Sequence, residues 1–236
     1  MKIVSWNCNM AFRKKWTKIL SEEPDLLIIQ ECENQEKLEP GNLIPKATDF
    51  IWEGKNKSKG IGIFSYSQFT LKIHESYTSE YSYVLPIEVK GEYDFIMLAV
   101  WAMPHLTTPS LGYVGQIWRA VNYYQTIINE RTIIIGDFNS NIQWDYMRKT
   151  GNHSDLVNFL SKRNILSLYH QQNQLAHGKE LDPSFFFYKN KEKPYHIDFC
   201  FSSTEMINTN TEISIGQYDD WIKLSDHMPL IIDKLG

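Results

Sequence analysis

The chain reads as a mixed α/β fold in one domain, and three observations carry that reading. Short β-branched apolar runs, Leu26-Leu27-Ile28-Ile29 and Thr132-Ile133-Ile134-Ile135 among them, have the length and composition of strands buried on both faces. Between groups of such runs lie stretches of helical spacing, as at Ile117, Val121, Tyr124 and Ile128. The 236 residues contain no internal repeat, low-complexity linker or break in composition, so residues 1–236 are expected to be a single unit with a substantial core.

Taken in order, residues 2–7 read as a first strand ending in Trp6-Asn7-Cys8-Asn9. Phe12, Trp16, Ile19 and Leu20 give residues 11–23 helical spacing around the basic run Arg13-Lys14-Lys15, and Pro24 stops that helix. The second strand, 25–30, runs into Gln30-Glu31-Cys32-Glu33, and residues 34–48 read as a loop with a short helical turn. Residues 50–53 and 60–66 make an antiparallel pair around Lys55-Asn56-Lys57-Ser58-Lys59. Strands over 69–74, 83–90 and 93–101 extend the sheet, with Gly91-Glu92 as a tight turn, and the last exits into Ala102-Met103-Pro104-His105.

A helix over 115–130 leads to the strand that ends in Gly136-Asp137-Phe138-Asn139. Gly136 marks a point where the backbone needs freedom that a side chain would deny. Asp137 and Asn139, two apart in extended chain, project to one side while Phe138 turns to the core. Ser154 is expected to cap a helix running to about 163, with Leu156, Phe159 and Leu160 inward. Strands over 183–188 and 195–201 flank Lys189-Asn190-Lys191-Glu192-Lys193, and 211–215 and 230–233 complete the set, the last entered through Leu224-Ser225-Asp226-His227.

A formal charge of −4 and a pI near 6.0 argue against a protein that coats DNA irrespective of sequence. They leave room for a nucleic-acid enzyme with its basic residues on one face. Cys8, Cys32 and Cys200 are odd in number, widely spaced and set in apolar segments, which suits buried free thiols in a reducing, cytoplasmic compartment. No apolar run has the length of a membrane helix, and the first residues enter a strand pattern directly, so neither membrane insertion nor a signal peptide is expected.

Polar strand ends recur: Asn7, Asn9, Glu31, His105, Asp137, Asn139, Asp198, Asp226 and His227. Hard oxygen donors without a thiolate cluster suit Mg²⁺ or Mn²⁺ rather than zinc. Glu31 and Asp226 can supply the one or two carboxylates such a site needs. Asp137 remains as a general base, and His227 held by Asp198 as a donor to a phosphoryl oxygen. These parts suffice to hydrolyse a phosphoester. Ser225, Asp226 and His227 are neighbours in extended chain and point to alternate sides, so they do not form a serine-hydrolase relay. No nucleophile elbow, Walker loop, dinucleotide fingerprint or zinc-protease motif is present.

Ser5-Trp6-Asn7 with Asn9, Gln30-Glu31-Cys32, Gly136-Asp137-Phe138-Asn139, Ile197-Asp198-Phe199 and Ser225-Asp226-His227 occur in an order that resembles the endonuclease/exonuclease/phosphatase superfamily. Gly60-Ile61-Gly62-Ile63-Phe64-Ser65 is similar to that family's central strand, so the resemblance spans essentially the whole chain. It implies a four-layer αββα sandwich, two mainly antiparallel sheets face to face with helices outside. It further implies Glu31 as a metal ligand, Asp226 at the metal site, and Asp137 as the residue that orients or deprotonates the attacking water. Asn7 and Asn139 would position phosphate or water, and the His227–Asp198 pair would stabilise the phosphate. Two departures stand out. Asn9 takes the place of an Asp found in many family nucleases, which makes a neutral, weaker ligand. The tyrosine of exonuclease III-like members has no counterpart, and His105 resembles the histidine of the DNase branch.

The resemblance implies a hydrolase with nucleic acid, DNA before RNA, as the leading substrate, and a small-molecule or lipid-headgroup phosphoester as the alternative. A non-catalytic nucleic-acid or protein-binding module is the third reading, against which the retained Glu31, Asp137, Asn139, Asp198, Asp226 and His227 argue. The segment before Asp198 lacks the Trp-Arg of typical abasic-site endonucleases, which argues against that repair activity. The basic segments 13–15, 55–59 and 189–193 are expected to form a positive rim. Trp144, Tyr146, Tyr188, Tyr195 and Trp221, all expected in loops, are candidates for base stacking or for packing under loops. His74, His153, His170 and His177 have no supporting motif and are expected at the surface, while His196 is a candidate substrate contact or packing residue.

Overall fold

The computed structural model describes residues 1–38, 46–105, 107–147 and 149–236. Two six-stranded sheets form its centre. The first contains β1 (Ile3–Asn7), β2 (Leu26–Cys32), β3 (Asp49–Asn56) and β4 (Lys59–Ser65) from the N-terminal part of the chain. The second holds β5 (Thr70–Ile73), β6 (Val84–Lys90), β7 (Phe95–Trp101), β8 (Thr132–Asp137) and β9 (Ile165–Ser167). A short ribbon, β10 (Phe185–Phe186) with β11 (Pro194–Tyr195), precedes β12 (Asp198–Ser203), which returns to the second sheet. β13 (Glu212–Ile215) and β14 (Leu230–Asp233) then close the first. The strand orders are β13-β14-β1-β2-β4-β3 and β5-β6-β7-β8-β12-β9. Pairing is antiparallel except for β1 with β2 and β7 with β8.

The period of two decides how β8 is shared. Ile133 and Ile135 enter the large core with Ile3, Leu27, Ile61 and Ile63 of the other sheet, whereas Ile134 points outward to Ile117, Val121, Leu156 and Leu160. Those last four lie on α-helices over Val114–Tyr123 and His153–Ser161, which cover the outer face of the second sheet. The result is the sandwich the sequence implied: a mixed α/β fold with two large sheets flanked by helices. All three cysteines are buried and free. Among the described residues no helix is long and apolar enough to cross a membrane.

Several boundaries differ from the sequence reading. The helix expected over 11–23 is a 3-10 turn, Phe12–Lys14, followed by five residues of α-helix, Trp16–Leu20. Asn9, Met10 and Ala11 take left-handed φ of 50°, 61° and 53°, which delays the start. The turn after β6 spans four residues, not two, because β7 begins only at Phe95. Asn152, not Ser154, caps the fourth helix, its side chain accepting from Asp155 N at 2.9 Å.

The strand expected over 183–188 shrinks to Phe185–Phe186, since Tyr188 and Lys189 both have φ of 56°. The one expected over 195–201 is broken at His196 and Ile197. β9 and the helix Leu168–Asn173 fall where no element was expected. Of the loop read over 34–48, Gln35–Leu38 is a helical turn and residues 39–45 lie outside the described residues.

Candidate active site

β8 delivers Asp137 opposite Asp198, the first residue of β12. The glycine before it is required: Gly136 has φ of +141°, and a Cβ there would stand 2.0 Å from the Val100 carbonyl oxygen. Asp137 is fully buried. Three N–H groups converge on its carboxylate. Asn7 Nδ2, from β1 of the other sheet, donates to Oδ2 at 2.9 Å. Asn139 donates its main-chain N–H to Oδ1 and its Nδ2 to Oδ2, both at 2.9 Å. A left-handed φ of 46° at Asn139 folds the residue back, and Nδ2 also reaches Ala102 O at 2.9 Å.

His227 lies across from this carboxylate, its Nε2 3.9 Å from Asp137 Oδ2. Its Nδ1 sits 3.0 and 3.2 Å from the two oxygens of Asp198, so that nitrogen carries a proton and donates it. Ser184 supports the pair: its hydroxyl donates to Asp198 Oδ2 at 2.7 Å and accepts from the N–H groups of Ile197 and Asp198 at 3.0 Å each. The His227 backbone is fixed from both sides, with Trp6 Nε1 donating to its carbonyl at 2.9 Å and its N–H donating to Ser225 Oγ at 3.0 Å. Ser225 Oγ donates in turn to Asn7 O at 2.7 Å. The motif around Asp226 is thereby tied to the end of β1.

Charge and burial set the protonation of this group. Burial lifts the Asp137 carboxyl to about 7, against the pull of His227 and of its amide donors, and the nearby Asp198 adds to the rise. For His227 burial opposes the charged form, but Asp198 and Asp137 outweigh it and hold the imidazolium up to about 10. An acid and a base of opposite polarity therefore face each other in a pocket without bulk water.

A second group lies at the ends of β1 and β2. Glu31 sits in a bulge of β2 between Gln30 and Cys32, with φ of 61°, a strained conformation for a residue with a side chain. Its Oε1 is 3.2 Å from Lys59 Nζ. Asn9 Nδ2 donates to Asp226 Oδ1 at 3.0 Å. Lys15 Nζ donates to the carbonyls of Cys8 and Asn9 at 2.5 and 3.1 Å. Burial lowers its pKa, and the fields of Glu31 and Asp226 both act against that. Oxygen donors from Glu31, paired with Lys59, and from Asp226, bonded to Asn9, are chemically suited to a hard divalent cation. Asp137, Asp198 and His227 also place ligand atoms within 4.8 Å of one another. Their oxygens, however, are already taken up by Asn7, Asn139, Ser184 and the imidazole, which favours proton transfer over ligation there.

Of the nine residues singled out in the sequence, Asn7, Asp137, Asn139, Asp198 and His227 form one hydrogen-bonded group, Asn9 with Asp226 adjoins it, and Glu31 is paired with Lys59. His105 stands apart. It is exposed, its described hydrogen bond is the one from Thr108 N to Nδ1 at 3.0 Å, and it shares with Asn139 the wall of a cleft of about 1150 Å³.

Other expectations need correction. His153 and His170 are buried and His177 is half-buried, because their rings pack on one another and on Phe199. Trp221 is buried against Trp6 at 5.2 Å rather than free for stacking, while Tyr146 and Tyr188 are exposed. Ser184 has no motif to announce it, and Lys15 is announced only as part of the basic run 13–15. Trp6 and Ser225 sit inside the motifs, and only their neighbours were read as functional.

The Endonuclease/Exonuclease/phosphatase family matches residues 4–227. No curated protein matches the chain by sequence. Among solved structures, a 3'-5' exonuclease from Neisseria meningitidis superposes with a TM-score of 0.71 at 18% identity, covering 99% of each chain. An AP endonuclease from Leishmania major gives 0.69 at 13% identity over 98% of this chain and 86% of that one. The endonuclease domain of TRAS1, a telomere-specific non-LTR retrotransposon, gives 0.64 at 12% identity over 98% and 96%. Identities this low speak to the fold alone. The sequence match covers nearly the whole chain, and on it the chain belongs to the Endonuclease/Exonuclease/phosphatase family.

Proposed function

We propose that this protein is a divalent-metal-dependent hydrolase of nucleic-acid phosphodiesters, acting on DNA in preference to RNA. The observation that carries the reading is the buried chain Asp198–His227–Asp137, with contacts of 3.0 and 3.9 Å, joined to two amides from opposite parts of the sequence. Mg²⁺ or Mn²⁺ held by Glu31 and Asp226, with the neutral Asn9 beside them, would polarise a phosphoryl oxygen.

The protein's own groups do the rest. Asp137 takes a proton from the attacking water, whose oxygen bonds to phosphorus as the bond to the leaving oxygen breaks. Asn7 and Asn139 hold the carboxylate in place. His227, kept charged by Asp198, donates a hydrogen bond to the non-bridging oxygen on which charge grows. His105, on the cleft wall beside Asn139, is placed to meet the substrate rather than the base.

The choice of nucleic acid rests on the rim. Lys15 bridges two carbonyls at the site, and Lys59 lies beside Glu31. Lys193 stands over Phe187, whose neighbour Phe185 packs on His227 at 4.6 Å. Exposed Phe187 and Tyr188 add surfaces on which a base can stack. One observation favours the second reading, a small phosphoester: much of that rim is already paired, Arg13 with Glu33, Lys57 with Glu36 and Lys191 with Asp219.

One panel separates them: plasmid DNA, single-stranded oligonucleotides, bis-p-nitrophenyl phosphate and p-nitrophenyl phosphate, each with Mg²⁺, Mn²⁺ or EDTA. Metal-dependent DNA cleavage abolished by Asp137→Ala supports the nuclease. Turnover of the small esters alone selects the second reading, and binding of DNA without turnover of any of these sinks both.

A further inference from the structure

Behind the loop that carries Asn139 lies a cluster of imidazoles that the reaction above does not use. The helix Leu168–Asn173 presents His170, and the chain then reverses through Gln174 (φ 53°) and Gly178 (φ 83°) to bring back His177 and Glu180. His170 Nε2 is 3.0 Å from Glu180 Oε1, and the His170 and His177 rings stack at 3.6 Å between centroids. One ligand atom from each of the three lies within 4.8 Å of the others. Two more histidines adjoin them. His153 Nε2 is 3.4 Å from His177 Nδ1, and the His196 ring is 6.2 Å from that of His170.

His196 supplies the independent sign of a ligand. Its Nδ1 is 2.7 Å from the Asp182 carbonyl, which fixes the proton on that nitrogen and leaves Nε2 as a bare lone pair. That Nε2 is buried and has no hydrogen-bond partner, in a residue only 5% exposed. A buried acceptor without a partner is costly. His170 is held at both nitrogens, with Ser167 Oγ 2.7 Å from Nδ1 and Glu180 Oε1 3.0 Å from Nε2, the nitrogen turned to the cluster. Imidazoles anchored through one nitrogen, with the other directed at a shared point, are the outer-shell pattern of metal-binding histidines.

We propose that His170, His177 and Glu180 form a transition-metal site of the zinc class, with the unpartnered His196 Nε2 as a further donor. Nitrogen donors with one carboxylate match Zn²⁺ or Co²⁺, in contrast to the all-oxygen group of Glu31 and Asp226. Zinc–nitrogen bonds of about 2.1 Å need donor atoms about 3.4 Å apart, so side-chain rotation suffices to close the set. An ion here would tie the 177–180 loop to the helix before it. Through His196 O, which accepts from Asn141 Nδ2 at 3.0 Å, and the Ser140 Oγ to His153 Nδ1 contact at 3.2 Å, it would also brace the segment after Asn139.

The test needs no substrate. The full-length protein, stripped with chelator and dialysed, is titrated with Co²⁺ and then Zn²⁺ while visible absorption, metal content and melting temperature are followed. The expected result is one equivalent of Co²⁺ with ligand-field bands, displaced by Zn²⁺, that persists in the double variant Glu31→Gln, Asp226→Asn. Both His177→Ala and Glu180→Gln should weaken it at least tenfold. His177 is half-buried, and circular dichroism identifies any variant that fails to fold, leaving the other to decide. Absence of bands in the parent protein overturns the proposal. So does binding that survives both cluster variants, or binding that disappears with Glu31 and Asp226.

Discussion

At the scale of single residues the proposed base is Asp137, and its burial has a definite sign. The folded state holds its carboxyl proton up to about 7, well above an unfolded carboxylate, so this group costs stability as pH rises between about 4 and 7. Only the deprotonated form can accept a proton from water. kcat/KM should therefore rise as pH climbs through about 7, and a pH–rate profile with no rising limb in that range would remove Asp137 from the role of base. Asp137→Asn should lower turnover by about 10²–10⁴-fold while circular dichroism stays unchanged. Ser184 makes a second case. Ser184→Ala leaves the Ile197 and Asp198 N–H groups without their acceptor and costs about 1–3 kcal/mol, to be read as a shifted urea midpoint. Because Ser184 acts through Asp198, kcat should fall more than KM changes, and rescue by Ser184→Thr would separate positioning from simple loss of stability.

At the scale of elements, the helix His153–Ser161 tests how a terminus is read. Asn152 Oδ1 accepts from Asp155 N, so Asn152→Ala should cost about 1 kcal/mol in thermal melts, while Ser154→Ala should stay within about 0.5 kcal/mol. The two outcomes exchanged would restore the reading from sequence. That error has a physical origin: Asn152, His153 and Ser154 are consecutive, and two of them are good caps, so spacing alone left the start free by two residues. Strands such as Ile3–Asn7 and Thr132–Asp137 were legible because both faces are buried and the β-branched run admits no other period. Asp137 and Asn139, which alone suit a turn or a cap, were legible because other strand ends finish in the same way and the motifs together resemble the family's. The His153, His170, His177 cluster was not, since its members come from three segments and no one segment shows a motif. The break at Tyr188 and Lys189 was hidden for a related reason: the segment is held by partners far along the chain, Asp226 O accepting from Phe186 N at 2.8 Å and Lys189 O accepting from Tyr218 Oη at 2.8 Å.

At the scale of the whole molecule, the question is how a chain with a net charge of −4 would hold the proposed polyanion. The answer lies in where its unpaired cations stand. Lys14 precedes the Lys15 that bonds Asn9 O, and Lys55 lies 5.9 Å from the ring of Tyr83, which packs on Trp101 at the end of β7. Lys193 stands over Phe187. Among the described residues none of these three has an ion-pair partner, so each can neutralise a phosphate. Three phosphate contacts on duplex DNA give a slope of about −2.7 for log affinity against log salt, or a loss of about 40-fold between 50 and 200 mM KCl. A small ester occupying only the buried group meets none of these lysines, and its turnover should change little over the same range. KM for a duplex oligonucleotide should therefore climb steeply with KCl, and the triple variant Lys14→Gln, Lys55→Gln, Lys193→Gln should flatten the dependence while leaving bis-p-nitrophenyl phosphate turnover near its parent value. Equal, shallow salt dependence for both substrates would mean that the rim does not touch the phosphates, and the case for a nucleic-acid substrate would pass to the small phosphoester.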